Sequence, residues 1–449
     1  MDHVLFVTID SLRTDHVGYH GYERDVTPTI DEYANRGSRF TRAFAHAGST
    51  MYSFPSILSG VTPLMYGGHD RISDGQTLVS EVFDDAGYRT GAFHSNLYLS
   101  EQFGYNRGWD VFFDSAPDAS AISRLRRWAK TNLKETPLFP VLKWGYDLLE
   151  SKGGVNVGSY HVPADDITDM AIEFVEDDPA EPTFLWVHYM DVHHPFLPPE
   201  EYRNQFCEGE ISDQEAIKLR RKFIEEPETV TDRERETFFD LYDAEIRFTD
   251  DEIGRLLDTV EQHWGDDYLL ALTADHGDHF LEHGYFGGAN GRDVKNHVPL
   301  FVTGWDDEGE YDEVVGLVDV PPTLVDAAGL DIPANFHGHN LRDLVFDGEW
   351  ERDVVVGGWD TDVGRKVSVR SDEWRYIEYP HEPDVLYDVS EPYAERENVA
   401  DTHPDVVRRL SNRIGDHLDV VATTQQADVE RPDMDEDVKE RLRRLGYQE

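Results

Sequence analysis

The sequence predicts an α/β fold, a central sheet with helices on both of its faces. Short apolar segments alternate with amphipathic stretches over most of the chain, which is typical of strands that are followed by helices. Each apolar segment is followed by polar residues that include His or Asp. The segments predicted to be buried strands are 4–9, 90–93, 184–189, 268–273 and 298–303. Because function in such folds collects beyond the carboxyl ends of strands, we expect the functional residues just after these segments.

Two signals place helices between the predicted strands. Thr27 followed by Pro28 predicts a helix with Thr27 as its N-cap and Pro28 at its first position. A long amphipathic pattern predicts another helix over about 238–263. After about Glu349 apolar and polar residues alternate, which predicts a smaller C-terminal subdomain. Its predicted elements are antiparallel strands over 354–356, 366–370 and 374–379 and a helix over 403–421.

The composition limits what the protein can bind. The 449 residues include 41 Lys+Arg and 91 Asp+Glu, a formal net charge of −50, while 39% are hydrophobic and 12% are aromatic. The chain can therefore bury a large core, so the acidity does not indicate disorder. Its field repels phosphate backbones, which excludes nucleic acid as the expected partner. This acidic, lysine-poor composition resembles that of proteins from salt-loving archaea.

The chain also lacks the features expected of an exported or membrane protein. Cys207 is the only cysteine, so an internal disulfide is excluded. The first predicted strand begins at Val4, where a signal peptide would carry a charged segment and an apolar core. No apolar run approaches the roughly 20 residues of a membrane span. We expect a cytoplasmic protein without a transmembrane segment.

Two predicted strands are followed by residues that suit a divalent metal. Asp10 follows the strand 4–9, although a helix cap or a loop residue is the simpler interpretation of Asp10 alone. Asp275 and His276 follow the strand 268–273, and Gly277 comes next, where a missing side chain lets another group approach closely. Adjacent Asp and His at a strand end predict half of a metal site.

Hydroxyl and histidine side chains provide candidates for catalysis. Thr50 and Ser53 precede an apolar helical run that ends near Gly60. Helix capping explains them, and the alternative is a nucleophile whose developing negative charge the helix N-terminus stabilises. His193 lies beyond the strand 184–189 and before a proline-fixed turn, where it suits a general acid. His188, inside that strand, is interpreted as a core residue.

Taken in order, these four motifs resemble the sulfatase family of the alkaline-phosphatase superfamily. Further similar segments are 86–112, 242–254, 318–329 and 386–398, so the resemblance spans about 4–421. It implies an alkaline-phosphatase-like central mixed sheet with helices on both faces and a smaller C-terminal α+β subdomain. The implied catalytic domain covers 1–348, with a basic insertion near 115–163, and the C-terminal subdomain with an acidic tail covers 349–449.

The resemblance also implies a metal site and a nucleophile. Asp10, Asp275 and His276 would hold a divalent cation, with Thr50 completing its coordination. Imidazole favours zinc or manganese over calcium, which stays an alternative. Thr50 stands where the family signature "CxPSRxxxLTG" has a Cys or Ser that is oxidised to formylglycine. Phe54 stands at the place of the signature's Arg.

Thr50 changes the chemistry that the family implies. Oxidation of threonine gives a ketone and no aldehyde hydrate, so the formylglycine route of sulfate-ester turnover is closed. We therefore expect direct attack by a metal-activated Thr50 oxygen, which gives a covalent threonine ester. An activated water releases phosphothreonine more readily than sulfothreonine. Threonine also occupies this position in the superfamily's phosphoglycerol transferases and some phosphodiesterases, so phosphoric esters are favoured.

Several polar residues are candidates for contacts with the substrate. His193 would protonate the leaving oxygen, and His283 or His297 would assist release or bind a second ion. The Lys of the family motif "GKWHLG" has no equivalent, and no Lys aligns after Asp275 and His276 either. Candidates for the missing positive charge are Arg292, Lys295 and His297, among which the sequence does not choose. The residues expected to bind the substrate are Asn96, His283, Arg292, Lys295 and His297.

The predicted function is a metal-dependent hydrolase that cleaves phosphoric or sulfuric esters through Thr50. Three alternatives stay open: an arylsulfatase-like enzyme with unmodified Thr50, a phosphoglycerol-type transferase, and a non-catalytic binder of anionic glycans. The expected partner is an anionic ester, with a glycan or a lipid-linked glycan as candidates. The stretch 121–152 holds seven basic residues against three acidic ones. It is either a surface insertion paired with acidic neighbours or a cap over the substrate.

Overall fold

A computed structural model describes residues 1–66, 71–114, 161–177, 181–284, 286–287, 291–361, 364–390 and 395–424. The basic stretch 121–152 and the tail after residue 424 lie outside the described residues. The interpretation of both therefore stays a prediction.

Four of the five predicted buried strands are present as single strands. Those predicted at 4–9, 90–93, 184–189 and 268–273 are β1 (His3–Ile9), β4 (Arg89–His94), β6 (Thr183–Tyr189) and β7 (Tyr268–Ala274). The strands, numbered in chain order, are β1 (His3–Ile9), β2 (Ser38–Phe40), β3 (Ala43–Phe44), β4 (Arg89–His94), β5 (Val111–Phe113), β6 (Thr183–Tyr189), β7 (Tyr268–Ala274), β8 (His297–Val298), β9 (Leu300–Thr303), β10 (Glu310–Tyr311), β11 (Val315–Gly316), β12 (Val354–Thr361), β13 (Gly364–Ser371), β14 (Trp374–Glu378) and β15 (Val385–Asp388).

A mixed sheet of eight strands forms the centre of the molecule, in the order β10-β2-β9-β7-β1-β6-β4-β5. The run from β7 to β5 is parallel, whereas β9 is antiparallel to both of its neighbours. The strands β1, β6 and β7 are buried along their whole length. Burial on both faces explains why their sequences are almost continuously apolar. The predicted mixed α/β fold is confirmed.

The helices pack against the sheet in two groups. The helices are α1 (Pro28–Ala34), α2 (Thr50–Ser59), α3 (Val79–Asp85), α4 (Ala164–Asp177), α5 (Glu200–Phe206), α6 (Asp213–Glu225), α7 (Asp232–Trp264), α8 (Asp293–Asn296), α9 (Val320–Ala327) and α10 (Pro404–Thr424). Contacts join α1 and α4 to α7, and a second set joins α2, α3 and α9.

The side chains of β6 show that the two groups cover opposite faces. Thr168 of α4 forms a hydrogen bond of 2.8 Å with the hydroxyl of Tyr189. Phe54 of α2 contacts the rings of Trp186 and His188 instead. Successive side chains of a strand point to opposite faces of its sheet. Hence α2 and α4 lie on different faces, and the carboxyl edge of β6 lies between them.

The segment 298–303 is two strands, so its prediction as one strand is wrong. β8 pairs with β3 in a separate three-stranded sheet, whereas β9 pairs with β7 in the central sheet. Pro299, between them, has no backbone N–H and cannot extend a ladder. The proline therefore marks the place where the chain leaves one sheet for the other.

One of the two predicted helix starts agrees with the structure and the other differs. α1 begins at Pro28 with Thr27 at its N-cap position, as predicted, although the Thr27 side chain makes no capping hydrogen bond and its hydroxyl accepts from the Gly18 amide at 2.9 Å. α7 begins at Asp232, well before the predicted 238. Thr231 and Glu234 form a reciprocal capping box there, with the Glu234 carboxylate accepting from the Thr231 amide at 2.8 Å.

The C-terminal subdomain has the predicted antiparallel strands and helix. β12, β13, β14 and β15 form a four-stranded sheet in that order. α10 packs on this sheet through its own apolar cluster, which includes Leu410 and Ile414 together with Leu64 from the chain that follows α2. No helix in the described ranges is long and apolar enough to cross a membrane.

Candidate active site

Two aspartates lie side by side at the carboxyl edge of the central sheet. Ile9 of β1 and Ala274 of β7 are register partners on neighbouring parallel strands, so Asp10 and Asp275 leave the sheet together. The Asp10 amide donates to the carbonyl of Tyr189 at 2.8 Å, and the Asp275 amide donates to the carbonyl of Ile9 at 3.3 Å. Both carboxyl groups are completely buried. The pair is thus a direct product of strand register.

His276 completes a group of possible metal ligands that we call the ligand triad: Asp10, Asp275 and His276. Burial lowers the pKa of His276 to about 3, and the positive charge of Lys295 adds to this effect, so its ring is neutral. Its Nδ1 lies 2.7 Å from the carbonyl oxygen of Gly277. A carbonyl can only accept, so Nδ1 carries the proton and Nε2 presents a lone pair. That nitrogen lies 3.5 Å from Oδ2 of Asp275.

Thr50 is the first residue of α2, and its hydroxyl contacts the ligand triad. Its Oγ1 lies 3.2 Å from Oδ2 of Asp10 and 3.3 Å from Nε2 of His276. One turn later the Ser53 hydroxyl donates to the carbonyl of Asp275 at 2.7 Å, which holds the start of α2 over the strand ends. The N-terminus of a helix therefore meets the triad at Thr50.

The donor set of the triad fits a divalent cation. Its ligand atoms all lie within 4.8 Å of one another. Oδ2 of Asp275 is buried and accepts no hydrogen bond. Burial, together with the charge of Asp10, raises the pKa of Asp275 well above its usual value. Two buried carboxylates at this distance repel each other, and a bound cation removes that repulsion.

Three further side chains fix the carboxylate of Asp10. The Ser11 hydroxyl donates to its Oδ1 at 2.7 Å, and the Asn96 amide donates to its Oδ2 at 3.1 Å. Nε2 of His188 lies 3.7 Å from the same Oδ2. Burial opposes ionisation of Asp10, but electrostatic interactions with nearby histidines, His193 first, hold its pKa well below the usual range. Asp10 is thus the ionised member of the pair.

Ser11 also links the two carboxylates, a role that the sequence did not indicate. Its amide donates to Oδ1 of Asp275 at 3.1 Å while its hydroxyl holds Asp10. Ser11 adopts a left-handed backbone conformation, with φ of 60°. This conformation turns the amide toward one aspartate and the hydroxyl toward the other. Nothing in a serine that follows an aspartate marks such a conformation in advance.

One of the three candidate cations lies beside the triad. Nζ of Lys295 is 3.0 Å from Oδ1 of Asp278, and both side chains are buried. The Gly277 amide donates to the carbonyl of Lys295 at 2.8 Å, which brings α8 against the loop of Asp275 and His276. Asp278 directly follows Gly277 in the sequence, and no role was predicted for it. The sequence alone does not indicate that Asp278 is buried next to a lysine, because the fold brings the two residues together.

The other two candidate cations point elsewhere. Arg292 donates to the carbonyl of Glu395 at 2.6 Å and to the hydroxyl of Tyr387 at 2.7 Å, both in the C-terminal subdomain. His297 forms a hydrogen bond of 2.8 Å with the carbonyl of Thr41. The structure thus separates three residues that are almost adjacent in the sequence and places Lys295 alone among them at the ligand triad.

The two remaining predicted residues differ in position. His193 is buried, its Nδ1 donates to the carbonyl of His194 at 2.8 Å, and the charges that act on it most strongly are those of Asp10 and Asp278. Burial lowers its pKa, and those two carboxylates oppose the effect. His283 is only partly buried, and its pKa is lowered by burial and by Arg292. His193 therefore lies beside the triad. The charged residues that act on His283, in contrast, do not include any member of the triad.

Comparison with known families covers nearly the whole chain. The family described as Sulfatase matches residues 2–330, and the one described as N-sulphoglucosamine sulphohydrolase, C-terminal, matches residues 282–419. An arylsulfatase of Clostridium perfringens is 24% identical over 454 residues, 88% of this chain and 91% of that protein. The iduronate 2-sulfatase of Mus musculus is 23% identical, over 89% of this chain and 87% of that protein.

Solved structures share the fold. A phosphonate monoester hydrolase of Agrobacterium radiobacter superposes with a TM-score of 0.74 at 18% identity, over 94% of this chain and 96% of that one. A structure in complex with its substrate D-glucosamine-2-N,6-O-disulfate has a TM-score of 0.73 at 17% identity, over 94% of this chain and 98% of that one. At such identities the likeness concerns the fold alone.

Proposed function

The chain belongs to the sulfatase family and is an ester-hydrolysing enzyme, and from this premise we propose that it cleaves phosphoric esters through unmodified Thr50. The observation that carries the proposal is the contact of the Thr50 hydroxyl with Asp10 at 3.2 Å and with His276 at 3.3 Å. An alcohol oxygen held against possible metal ligands, at the start of a helix, is placed for nucleophilic attack.

The ligand triad, with Thr50, would hold a divalent cation, and zinc or manganese is favoured over calcium. A neutral imidazole nitrogen among carboxylate oxygens suits zinc and manganese, whereas calcium prefers ligands that are all oxygen. When bound, such a cation supplies a Lewis acid that lowers the pKa of a coordinated hydroxyl and balances charge on the ester.

The reaction would proceed in two in-line displacements. In the first, the Thr50 hydroxyl releases its proton to solvent, its oxygen forms a bond to phosphorus and the bond from phosphorus to the leaving oxygen breaks, while protonated His193 gives the leaving oxygen a proton. Burial keeps His193 neutral in the free enzyme, and the negative charge of an entering ester raises its pKa so that it takes up that proton from solvent. In the second, water attacks the phosphothreonine and gives one proton to His193, the bond from phosphorus to the Thr50 oxygen breaks, and that oxygen takes up a proton from solvent as phosphate leaves.

Two side chains would stabilise the equatorial oxygens of the transferred group. Lys295 supplies a buried positive charge beside His276, and Asn96 supplies an amide at Asp10. Such fixed donors usually contribute the largest single term in catalysis. Arg292 and His297 are assigned no contact with the reacting group, because both hydrogen-bond away from the ligand triad.

Hydrolysis of sulfuric esters by unmodified Thr50 is the second candidate. The curated relatives named as an arylsulfatase and an iduronate 2-sulfatase favour it, because both names describe sulfatases. Against it stands the threonine, whose sulfate ester has no second hydroxyl to expel sulfate. A phosphoglycerol-type transfer would differ only in that an alcohol takes the place of water in the second displacement. Binding of an anionic glycan without catalysis would leave Thr50 without a role.

A comparison of substrates tests the proposal. Nitrophenyl sulfate, nitrophenyl phosphate and bis(nitrophenyl) phosphate are supplied to the protein loaded with zinc, manganese or calcium in turn. We expect a phosphoric ester to be turned over about 10-fold or more faster than the sulfate. Turnover of the sulfate alone would overturn the proposal in favour of the second candidate. Thr50→Val serves as the control, since it keeps the shape of the side chain and removes its hydroxyl.

The proposal also includes a domain boundary, a substrate class and a cellular location. We treat 1–348 as the catalytic domain and 349–449 as the C-terminal subdomain and tail, which is supported by the apolar cluster that the C-terminal sheet and α10 form, with Leu64 packed against it. The substrate class favoured for the site is an anionic ester, including a glycan or a lipid-linked glycan. The cytoplasmic location and the adaptation to salt stay predictions from the sequence.

A further inference from the structure

The segment 292–296 lies between the ligand triad and the C-terminal sheet. It contains α8, a helix of four residues. One turn of helix has almost no stability of its own, because its hydrogen bonds do not offset the entropy of forming it. The position of the segment must therefore be imposed by the groups that contact it on either side.

On its inner side the segment packs against both loops that carry the site. The Ala45 amide donates to the carbonyl of Asn296 at 2.7 Å, and the Asn296 side chain donates to the carbonyl of Ala45 at 2.8 Å. A Cβ on Gly277 would lie 2.2 Å from the carbonyl oxygen of Val294, and one on Gly48 would lie 2.9 Å from Cβ of Lys295. Two glycines thus allow the backbone of the segment to approach the loops of Thr50 and of Asp275.

On its outer side the segment is held by charges of the C-terminal subdomain. Nε of Arg370, on β13, lies 3.1 Å from both carboxylate oxygens of Asp293, and Arg375, on β14, donates to the same carboxylate. The Asp293 amide donates to the carboxylate of Glu395 at 2.9 Å. The side chains of Asp293, Arg370, Arg375 and Glu395 are all buried.

This network is better suited to fixing geometry than to adding stability. Two arginines and two carboxylates are removed from water together, and desolvation of buried ion pairs offsets most of their attraction. Their directed hydrogen bonds, in contrast, define one position for Asp293. Lys295 follows two residues later on the same turn. Whatever fixes Asp293 therefore fixes the backbone from which Lys295 reaches Asp278.

We propose that Asp293 is a positioning residue through which the C-terminal subdomain holds Lys295 at the active site. Arg370 and Arg375 hold Asp293, Asp293 holds α8, and α8 keeps Nζ of Lys295 against Asp278 and beside the ligand triad. The inference rests on the proposed function only where Lys295 is said to stabilise the reacting group. The placement of Lys295 can be measured independently of activity.

The first measurement is the reactivity of Lys295 in the folded protein. Acetic anhydride is added to metal-loaded wild type, Asp293→Asn and Asp319→Asn, and acetylation of the peptide with Lys295 is followed by mass spectrometry. Asp319 is a matched control, since it is fully buried and accepts from Arg352 at 2.5 Å and from the His339 amide at 2.7 Å, away from α8. We expect labelling of Lys295 to rise about 10-fold or more in Asp293→Asn only. Equal labelling in the two variants would overturn the inference.

The second measurement is a double-mutant cycle in turnover. Asp293→Asn should lower kcat about 10- to 100-fold with little change in KM, because a displaced cation stabilises the transition state less well. In the Lys295→Met background the same substitution should have no further effect on kcat, although it should still lower the melting temperature. If Asp293→Asn lowered kcat equally in the Lys295→Met background, the inference that Asp293 acts through Lys295 would be wrong. If Asp293→Asn does not fold, Arg375→Gln removes one partner of Asp293 and is used in its place.

The two measurements separate failure of the inference from failure of the proposed function. If Lys295→Met keeps normal turnover while labelling rises in Asp293→Asn, the catalytic role of Lys295 is wrong and its positioning by Asp293 stands. If Lys295→Met is inactive and labelling is unchanged, the proposed function stands and the positioning by Asp293 is wrong.

Discussion

Asp10 and Asp275 lie next to each other because the residues before them, Ile9 and Ala274, are register partners on two parallel strands. Each is held by Ser11, through its hydroxyl and its amide respectively. The result is a pair of buried carboxyl groups with opposite tendencies, since the pKa of Asp10 is held low and the pKa of Asp275 is raised by burial and by Asp10. Such a pair costs stability until a cation binds between its members.

Asp275→Asn is therefore expected to stabilise the metal-free protein and to weaken metal binding. Oδ1 of Asp275 accepts from the Ser11 amide at 3.1 Å and from the His276 amide at 2.8 Å. The asparagine oxygen can still accept both hydrogen bonds, and the repulsion with Asp10 is gone. We expect the free energy of unfolding in chelator to rise by at least about 1 kcal/mol. A shift of one unit in the pKa of Asp275 corresponds to about 1.4 kcal/mol, so this is a modest expectation for a group whose pKa is raised. Affinity for zinc or manganese should fall about 100-fold or more.

Urea unfolding in chelator and calorimetric titration with each metal measure the two effects. A variant that unfolds more readily than wild type in chelator would show that Asp275 is stabilising without metal, contrary to this account. Asp360→Asn is the matched control, because Asp360 pairs with Arg365 on the surface of the C-terminal sheet, where loss of the pair should change stability by less than about 1 kcal/mol.

Lys295→Met is expected to lower both turnover and stability. It lowers turnover because the reacting group loses a positive charge, and it lowers stability because Asp278 loses its partner. Loss of the positive charge should lower kcat by about 100- to 1,000-fold, the usual effect of removing one fixed stabilising donor. Separately, Asp278 would be left as a buried carboxylate without its cation, which should cost several kcal/mol of stability.

The double variant Lys295→Met/Asp278→Asn should regain most of the lost stability without regaining turnover. Thermal unfolding and steady-state kinetics on the same preparations check both statements. Recovery of turnover in the double variant would mean that Lys295 acts only by neutralising Asp278. Lys218→Met, at an exposed position on α6, should leave both quantities unchanged.

The pair of Arg13 and Asp15 should contribute stability that depends on pH. Nη2 of Arg13 lies 2.7 Å from the carboxylate of Asp15. Burial opposes ionisation of Asp15, but Arg13 outweighs it and lowers the pKa to about 2. A carboxyl group with a lowered pKa stabilises the fold above its unfolded pKa of about 4, and this stability is lost as the pH falls toward 2.

Asp15→Asn should therefore destabilise the protein by about 1–2 kcal/mol at pH 6, and by roughly half as much near pH 3. The measured quantity is the difference in unfolding free energy between variant and wild type at the two pH values. A difference that stays constant over this range would contradict the assignment of the shift to the ion pair. Glu225→Gln, which breaks an exposed pair with Arg221, should show no difference at either pH.

Phe54 is expected to be a packing residue that helps to place α2. Its ring is fully buried and meets His188 edge-on, with ring centroids 5.0 Å apart. Phe54→Ala should cost about 3–5 kcal/mol of stability, whereas Phe54→Leu should cost less. Chemical denaturation checks the series. A loss below about 1 kcal/mol for Phe54→Ala would mean that neighbouring side chains fill the space.

The sequence was sufficient for features that depend on short patterns. Buried strands such as β1 and β7 are continuous apolar runs, and the residues after them, Asp10 and Asp275, could be assigned to one edge of a parallel sheet. It was insufficient where a single residue changes the path of the chain. Pro299 divides the predicted strand 298–303 between two sheets, and Thr231 starts α7 earlier than its apolar pattern indicates.

Within the site, the sequence could not choose among Arg292, Lys295 and His297. The choice depends on which side of α8 faces the triad. That orientation is determined by contacts with residues that are distant in the sequence. On the outer side of α8, Arg370 and Arg375 form ion pairs with Asp293. On its inner side, Gly48 and Gly277 have no side chains and so leave room for the segment that carries Lys295. His188 was taken as a core residue, and it is buried, but its Nε2 faces Asp10 at 3.7 Å.

The stereochemical course at phosphorus tests the central claim, a covalent ester on Thr50, most directly. A chiral phosphorothioate diester is hydrolysed in isotope-labelled water, and the configuration of the product is determined. Two in-line displacements, the first by Thr50 and the second by water, predict net retention of configuration. Net inversion would mean that water attacks the ester in a single step and would contradict the account.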